Sequence, residues 1–177
     1  MRLFIAIDIG HAEYFSSLQE QIKDSGVRMT FPRVFHVTLK FLGEVDEVRK
    51  NKIVDALASI KIQSFRLRTA QIGVFSSFDS IRVVWVGFDP SPVLSKLQAD
   101  IEAILKPWFP EEKQWVAHIT LARVKEILPE SKKVYAHKLA SFCIQEQIFE
   151  VTCFKLIKSV LGSSGPVYED VASFGLK

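Results

Sequence analysis

The sequence predicts an α+β fold of two pseudo-symmetric lobes, built from a duplicated βαβαβ-type unit. Three observations predict it. Strand-like and helix-like periods alternate along the whole chain. The tetrapeptide His36-Val37-Thr38-Leu39 returns in the second half as His118-Ile119-Thr120-Leu121. The strand-like runs ahead of these motifs, Arg2-Leu3-Phe4-Ile5 and Arg82-Val83-Val84-Trp85, are offset by nearly the same length of chain. Unrelated segments rarely keep one spacing to one signature, so residues 1–177 read as a single two-lobed domain with repeat units of roughly 1–80 and 81–177.

Each element follows from its period. Arg2 to Ile9 is strand-like, and Ala12 to Lys23 places Phe15, Leu18 and Ile22 at helical spacing before Ser25-Gly26 ends the run. Phe35 to Phe41 alternates again, Gly43 and Asp46 mark a turn, and Val48 to Ile60 sets Ile53, Val54, Leu57 and Ile60 on one helical face. Ser64 to Phe75 is strand-like, and the turn-rich Ser76 to Ser80 is read as the end of the first half. The second half predicts strand Arg82 to Phe88, helix Pro92 to Leu105 with proline in its first turn, and strand Trp115 to Val124. A weaker helix, Glu130 to Ala140, and the strands Gln147 to Ile157 and Val167 to Phe174 complete it.

Composition narrows the classes. At 48% apolar and 24% charged the chain sustains a packed core and excludes intrinsic disorder. The opening apolar run, Leu3 to Ile7, is far short of the roughly 20 residues that span a bilayer, and too short for a signal peptide. Two cysteines, Cys143 and Cys153, form neither a disulfide framework nor a zinc cluster, so a cytoplasmic location is expected, with no membrane partner. The net charge of +3 resides in residues 1–88, the rest being neutral. A polyanion therefore has to meet basic residues gathered at a local site, not a general basic surface.

Alternation along a strand sends His36, Thr38 and Lys40 to one face and Val37, Leu39 and Phe41 to the other, and the same parity separates His118 and Thr120 from Ile119 and Leu121. Two His-x-Thr rows facing each other across a groove suit phosphoryl chemistry without a metal. One neutral imidazole takes a proton from water, one protonated imidazole gives a proton to the leaving oxygen, and two hydroxyls donate to the phosphate. The four histidines, His11, His36, His118 and His137, lack the short spacings of zinc ligands, so no metal and no cofactor are expected. Lys40 either meets an anion or a base in the groove or is a solvated strand end. Arg123 falls by strict alternation beside Ile119 and Leu121 and reaches the groove only if the strand ends or bulges around Ala122, which leaves it as a phosphate contact or a terminal charge. Asp8 and Asp89 end matching strands as caps or turns, His11 and His137 are surface residues, and Gly162-Ser163-Ser164-Gly165 is a flexible turn.

Together, Arg2 to Asp8, His36 to Gly43 (HVTLKFLG), Arg82 to Gly87 (RVVWVG), His118 to Lys125 (HITLARVK) and the closing Gly165-Pro166-Val167-Tyr168 with Phe174 and Leu176 resemble the two-histidine phosphoesterase superfamily. Within it they are similar to the RNA 2′,3′-cyclic phosphodiesterases historically called 2′-5′ RNA ligases. The stretch Met29 to Phe35 departs from the pattern by lacking a Trp and a Pro-Glu-Asn turn. The resemblance implies antiparallel sheets flanking a central cleft, and metal-independent opening of an RNA-terminal 2′,3′-cyclic phosphate to a 2′-phosphate. It also implies a reversible 2′-5′ ligation of RNA ends such as tRNA halves, and a monomer is expected. By position it makes His36 and His118 the catalytic pair, with His118 activating water and His36 protonating the 3′ oxygen, Thr38 and Thr120 phosphate donors, and Arg123 a phosphate contact. Two other classes are weighed against it: a non-catalytic module that binds RNA ends, and an enzyme acting on a small nucleotide such as ADP-ribose cyclic phosphate.

Overall fold

A computed structural model describes residues 1–162 and 165–177. Its elements run β1 (Arg2–Asp8), α1 (Ala12–Ile22), β2 (Val27–Thr30), β3 (His36–Glu44), α2 (Glu47–Ala58), β4 (Phe65–Ser77), β5 (Ser80–Phe88) and α3 (Pro92–Leu105). Then come β6 (His118–Ile127), a short 3₁₀ turn (Pro129–Ser131), α4 (Lys132–Ala140), β7 (Ile148–Val151), β8 (Cys153–Gly162) and β9 (Gly165–Gly175). Ser163 and Ser164 of the expected glycine-serine turn lie outside the described residues. Local chemistry starts the helices where expected. The Asp46 carboxylate accepts from the Arg49 amide at 2.8 Å to begin α2. The Ser91 hydroxyl accepts from the Leu94 amide at 3.2 Å, with Pro92 in the first turn, to begin α3.

Two antiparallel sheets form, of order β3-β1-β8-β9 (sheet 1) and β2-β6-β5-β4-β7 (sheet 2). The two motif strands thus fall in different sheets, β3 in the first and β6 in the second. The lobes are not the two halves of the chain, however. The turn-rich stretch at residues 76–80 is the tip of a hairpin, with Ser77 paired to Ser80, so β4 is stitched to β5 inside sheet 2 and does not close the first half. The strand expected over Gln147 to Ile157 breaks at Thr152: β7 adds to β4 in sheet 2, and β8 crosses to pair with β1 in sheet 1. The short strand β2 had no readable period and docks on β6.

The helices are exchanged as well. α1 follows β1 of sheet 1 but packs against β6 of sheet 2, joined there by α4 on β4. α3 follows β5 of sheet 2 but packs against β3 of sheet 1, beside α2. One continuous core results, running from Leu3, Ile5 and Ile7 of β1 through Phe15, Leu18 and Ile22 of α1 to Ile119 and Leu121 of β6. Phe15 sits at its centre, fully buried between Phe35 and Phe149 with ring centroids 4.9 and 5.5 Å away, and truncating such a ring costs about 3–5 kcal/mol. A second, small cluster of Phe4, Ala6 and Ile157 with Tyr168 covers the opposite face of sheet 1.

Candidate active site

His36 opens β3 and His118 opens β6, each half-buried on a row that alternates with fully buried Val37 and Leu39 or Ile119 and Leu121. β3 packs beside β6. The Trp115 indole Nε1–H donates to the Thr38 carbonyl at 2.9 Å, which ties the segment leading into the second motif to the backbone of the first. Both His-x-Thr rows face away from the shared core, on neighbouring strands.

Each imidazole is held by a pair of aromatic rings. His36 meets Phe4 and Tyr168 edge-on, at centroid distances of 5.7 and 5.3 Å. His118 meets Phe75 edge-on at 5.0 Å and lies 6.0 Å from Trp85. The Trp85 indole lies across two glycines of sheet 2: a Cβ on Gly73 would overlap the ring outright, and one on Gly87 would come within 2.9 Å of it. Only a residue without a side chain lets that ring lie flat on the sheet beneath His118. These four rings are the main site residues that the sequence did not single out. Position gave the only signal, since Phe4 and Trp85 occupy the two matching strands ahead of the motifs.

Past the threonines, both strands bulge at the same point. In β3 the partners of Ala6 and Ile5 are Thr38 and Lys40, so Leu39 is the extra residue; in β6 the partners of Trp85 and Val84 are Thr120 and Ala122, so Leu121 is extra. A bulge reverses the parity of everything after it. Lys40 is therefore carried off the histidine face and into the core, 3% exposed, where its ammonium lies 2.6 Å from Glu102 and 2.8 Å from the Pro110 carbonyl. Glu102 also accepts from Gln98 at 3.1 Å and from the Glu112 amide at 3.4 Å. The expectation of Lys40 in the groove is thus corrected: it is a buried structural ion. The same reversal turns Arg123 outward onto the face of His118 and Thr120, and puts Phe41, 70% exposed, at the equivalent place on β3.

The electrostatics of the two histidines differ. His118 Nδ1 lies 2.8 Å from the Val116 carbonyl, so that nitrogen carries the proton and Nε2 is left with the lone pair. Burial pushes its pKa below the ordinary value, and the Arg123 guanidinium pushes the same way, while the Val116 contact and Glu112 oppose them. Burial also lowers His36, and the Lys155 ammonium pushes the same way, while the Asp8 carboxylate, directly opposite in the β1–β3 register, and Asp170 favour its charged form. Lys155 bridges those two carboxylates at 3.2 and 2.7 Å, and its own ammonium is held charged by them. Asp8 also accepts from the Gly10 amide at 3.1 Å, the turn role expected of it. His11 and His137 are exposed, as expected of them. Among the described residues no group of three His, Cys, Asp or Glu stands close enough to hold a metal ion, and no helix is long and apolar enough to cross a membrane.

Comparison with known proteins matches this architecture in sequence and in fold. The family model of the LigT like Phosphoesterase matches the chain twice in succession, over residues 7–85 and 87–168. The RNA 2′,3′-cyclic phosphodiesterase of Methanocaldococcus jannaschii is 34% identical over 172 residues, covering 96% of this chain and 97% of its own. The protein of that name from Archaeoglobus fulgidus is 34% identical over 183 residues, covering 98% and 99%. In fold, the crystal structure of Escherichia coli LigT complexed with 3′-AMP superposes with a TM-score of 0.78 at 24% identity, over 99% of this chain and 97% of that one. With two copies of the motif, two antiparallel sheets and relatives matched nearly end to end, this chain belongs to the LigT-like phosphoesterase family.

Proposed function

We propose that the protein hydrolyses a terminal 2′,3′-cyclic phosphate on RNA to a 2′-phosphate, using His36 and His118 as its acid and base. The observation that supports this reading is the packing of β3 against β6, with Trp115 bonded to the Thr38 carbonyl. The names of the relatives give the substrate class.

In this scheme His118 Nε2 takes a proton from water as the water oxygen attacks phosphorus, and His36 gives a proton to the 3′ oxygen as its bond to phosphorus breaks. The 2′ oxygen keeps the phosphate. The assignment rests on surroundings: the Val116 carbonyl holds the proton on His118 Nδ1 and leaves Nε2 free to accept, with Arg123 opposing a second proton there, whereas at His36 the Asp8 and Asp170 carboxylates work against burial and Lys155 to keep a proton available for donation. Thr38 and Thr120 donate to the non-bridging oxygens, and Arg123 offsets the negative charge that grows there. Two imidazoles complete the proton traffic, so no metal is required. A 5′-hydroxyl in the place of water would travel the same path and leave a 2′-5′ linkage, which is the ligation chemistry of the same site.

The test offers three substrates: a nucleoside 2′,3′-cyclic phosphate, a short RNA ending in one, and ADP-ribose cyclic phosphate. The reading expects the first two to open to 2′-phosphates in the presence of EDTA. Turnover of ADP-ribose cyclic phosphate alone would move the activity to small nucleotides, and tight binding without turnover would make the cleft a docking module.

A further inference from the structure

Beyond the histidines, sheet 2 carries a second feature that the chemistry above does not use. A surface groove of about 190 Å³ opens between the start of β5, the end of β6 and the start of α4, with Ile81 and Val124 at its floor and Phe78, Arg82, Lys125 and Lys132 around it, beside Asp79 and Glu126. Arg82, Lys125 and Lys132 are exposed, and among the described residues none of them has a carboxylate within ion-pair distance. Of the two acids, Glu126 is already engaged by Arg28 at 3.0 Å, which leaves Asp79 at the hairpin tip as the opposing charge. Phe78, at the same tip, is 43% exposed. Unpaired cations beside an exposed ring are the two components by which proteins hold single-stranded nucleic acid: charge for the phosphates and an aromatic face for the bases.

The groove is joined to the site through one strand, β6. Arg123 and Lys125 follow one another on the outward face of β6, with Val124 between them turned into the core. Two residues of strand separate them by roughly 7 Å, close to one nucleotide step, and Lys125 lies seven residues beyond His118, about 20 Å along the strand. A nucleotide whose phosphate sits between the histidines cannot reach that far, whereas a strand a few nucleotides long can.

We infer that Arg82, Lys125, Lys132 and Phe78 form a track for the single-stranded RNA that leads up to the cyclic phosphate, making an oligonucleotide end the preferred substrate over a mononucleotide. This inference rests on the functional reading above, and adds the substrate's length and the surface that reads it.

The experiment compares the wild type with a triple variant, Arg82→Ala, Lys125→Ala and Lys132→Ala, and separately with Phe78→Ala. Two substrates are used: a nucleoside 2′,3′-cyclic phosphate and an unstructured RNA of about eight nucleotides ending in one. The wild type should favour the RNA in kcat/KM. The triple variant should lose about tenfold or more on the RNA, through KM, stay within about twofold on the mononucleotide, and show a salt dependence shallower by about 2 in log–log slope, since three phosphate contacts are removed. Phe78→Ala should lose about fivefold or more on the RNA alone, as one stacked base is given up. Equal losses on both substrates, no loss on the RNA, or no wild-type preference for the RNA would each overturn the track. Fluorescence anisotropy of the same RNA carrying a 3′-phosphate separates the two claims. If the wild type binds it and the triple variant does not, the track stands even where turnover fails; if both bind equally, the track is wrong even where turnover succeeds.

Discussion

The two motif strands begin alike and end differently. β3 reads His-Val-Thr-Leu-Lys-Phe and β6 reads His-Ile-Thr-Leu-Ala-Arg, and both bulge at the leucine. The shared bulge buries the fifth residue and exposes the sixth on both strands. One side of the site thus presents Phe41, with Asp8 and Asp170 acting on His36, and the other presents Arg123. The fifth positions differ in kind too: Ala122 fills its space with a methyl group, while Lys40 brings in a charge that Glu102 has to match. The backbone is duplicated and the electrostatics are not, so two similar imidazoles, both lowered by burial, sit among different charges.

The harshest test of this asymmetry is removal of each imidazole. His36→Ala and His118→Ala should each lower kcat by about 10²–10⁴-fold in single-turnover assays. The asymmetry adds that His36→Ala regains rate with a substrate whose leaving group needs no proton, while His118→Ala does not; identical behaviour of the two would abolish the division into acid and base.

Next in size is the contrast between Lys40 and Arg123. Lys40→Ala leaves Glu102 buried without its partner and should cost about 3–5 kcal/mol in urea unfolding. Arg123→Ala should change stability by no more than about 0.5 kcal/mol and yet slow turnover by about a hundredfold. A stable, slow Lys40→Ala would return that residue to the catalytic face.

The smallest expected effects lie in pH. Burial holds both free imidazoles below the ordinary value near 6.5. A base with a lowered pKa becomes active at lower pH, and an acid with a lowered pKa loses its proton sooner. Both limbs of the kcat/KM profile therefore move toward acid, and the optimum should lie below about 6.5 as a macroscopic property of the pair. Asp8→Asn should draw the alkaline limb further down and leave the acid limb in place, whereas Arg123→Ala should raise the acid limb only. Movement of the wrong limb in either variant would exchange the roles of the histidines.

Much of this was legible in the sequence because it is local. The period of Ala12 to Lys23, the turn at Asp46, the proline that opens α3 and the alternation around each histidine are all written within a few residues of where they act. What was not legible depends on distant partners. Nothing in Leu39-Lys40 announces a bulge, which exists because β1 pairs one residue against two, so strict alternation misplaced Lys40 and left Arg123 open. The break at Thr152 shows only as a one-residue shift of phase, from Phe149 and Val151 to Phe154 and Leu156, which apolar Cys153 and Ile157 blur, and nothing in that shift says that the two sides serve different sheets. The rings beneath the histidines read as core because an aromatic residue on a strand is core by default.

The position of β1 bears on how the protein is made. It is an inner strand of sheet 1, with β3 on one side and β8, from the last quarter of the sequence, on the other. A chain emerging from the ribosome presents β1 long before β8, so this apolar strand keeps one edge bare while everything between them is made, and the ring of Tyr168 that flanks His36 comes later still. Contacts of such sequence separation close slowly. The nascent polypeptide therefore carries a complete first motif long before it has an environment for it, and catalytic competence waits until β8 and β9 are in place.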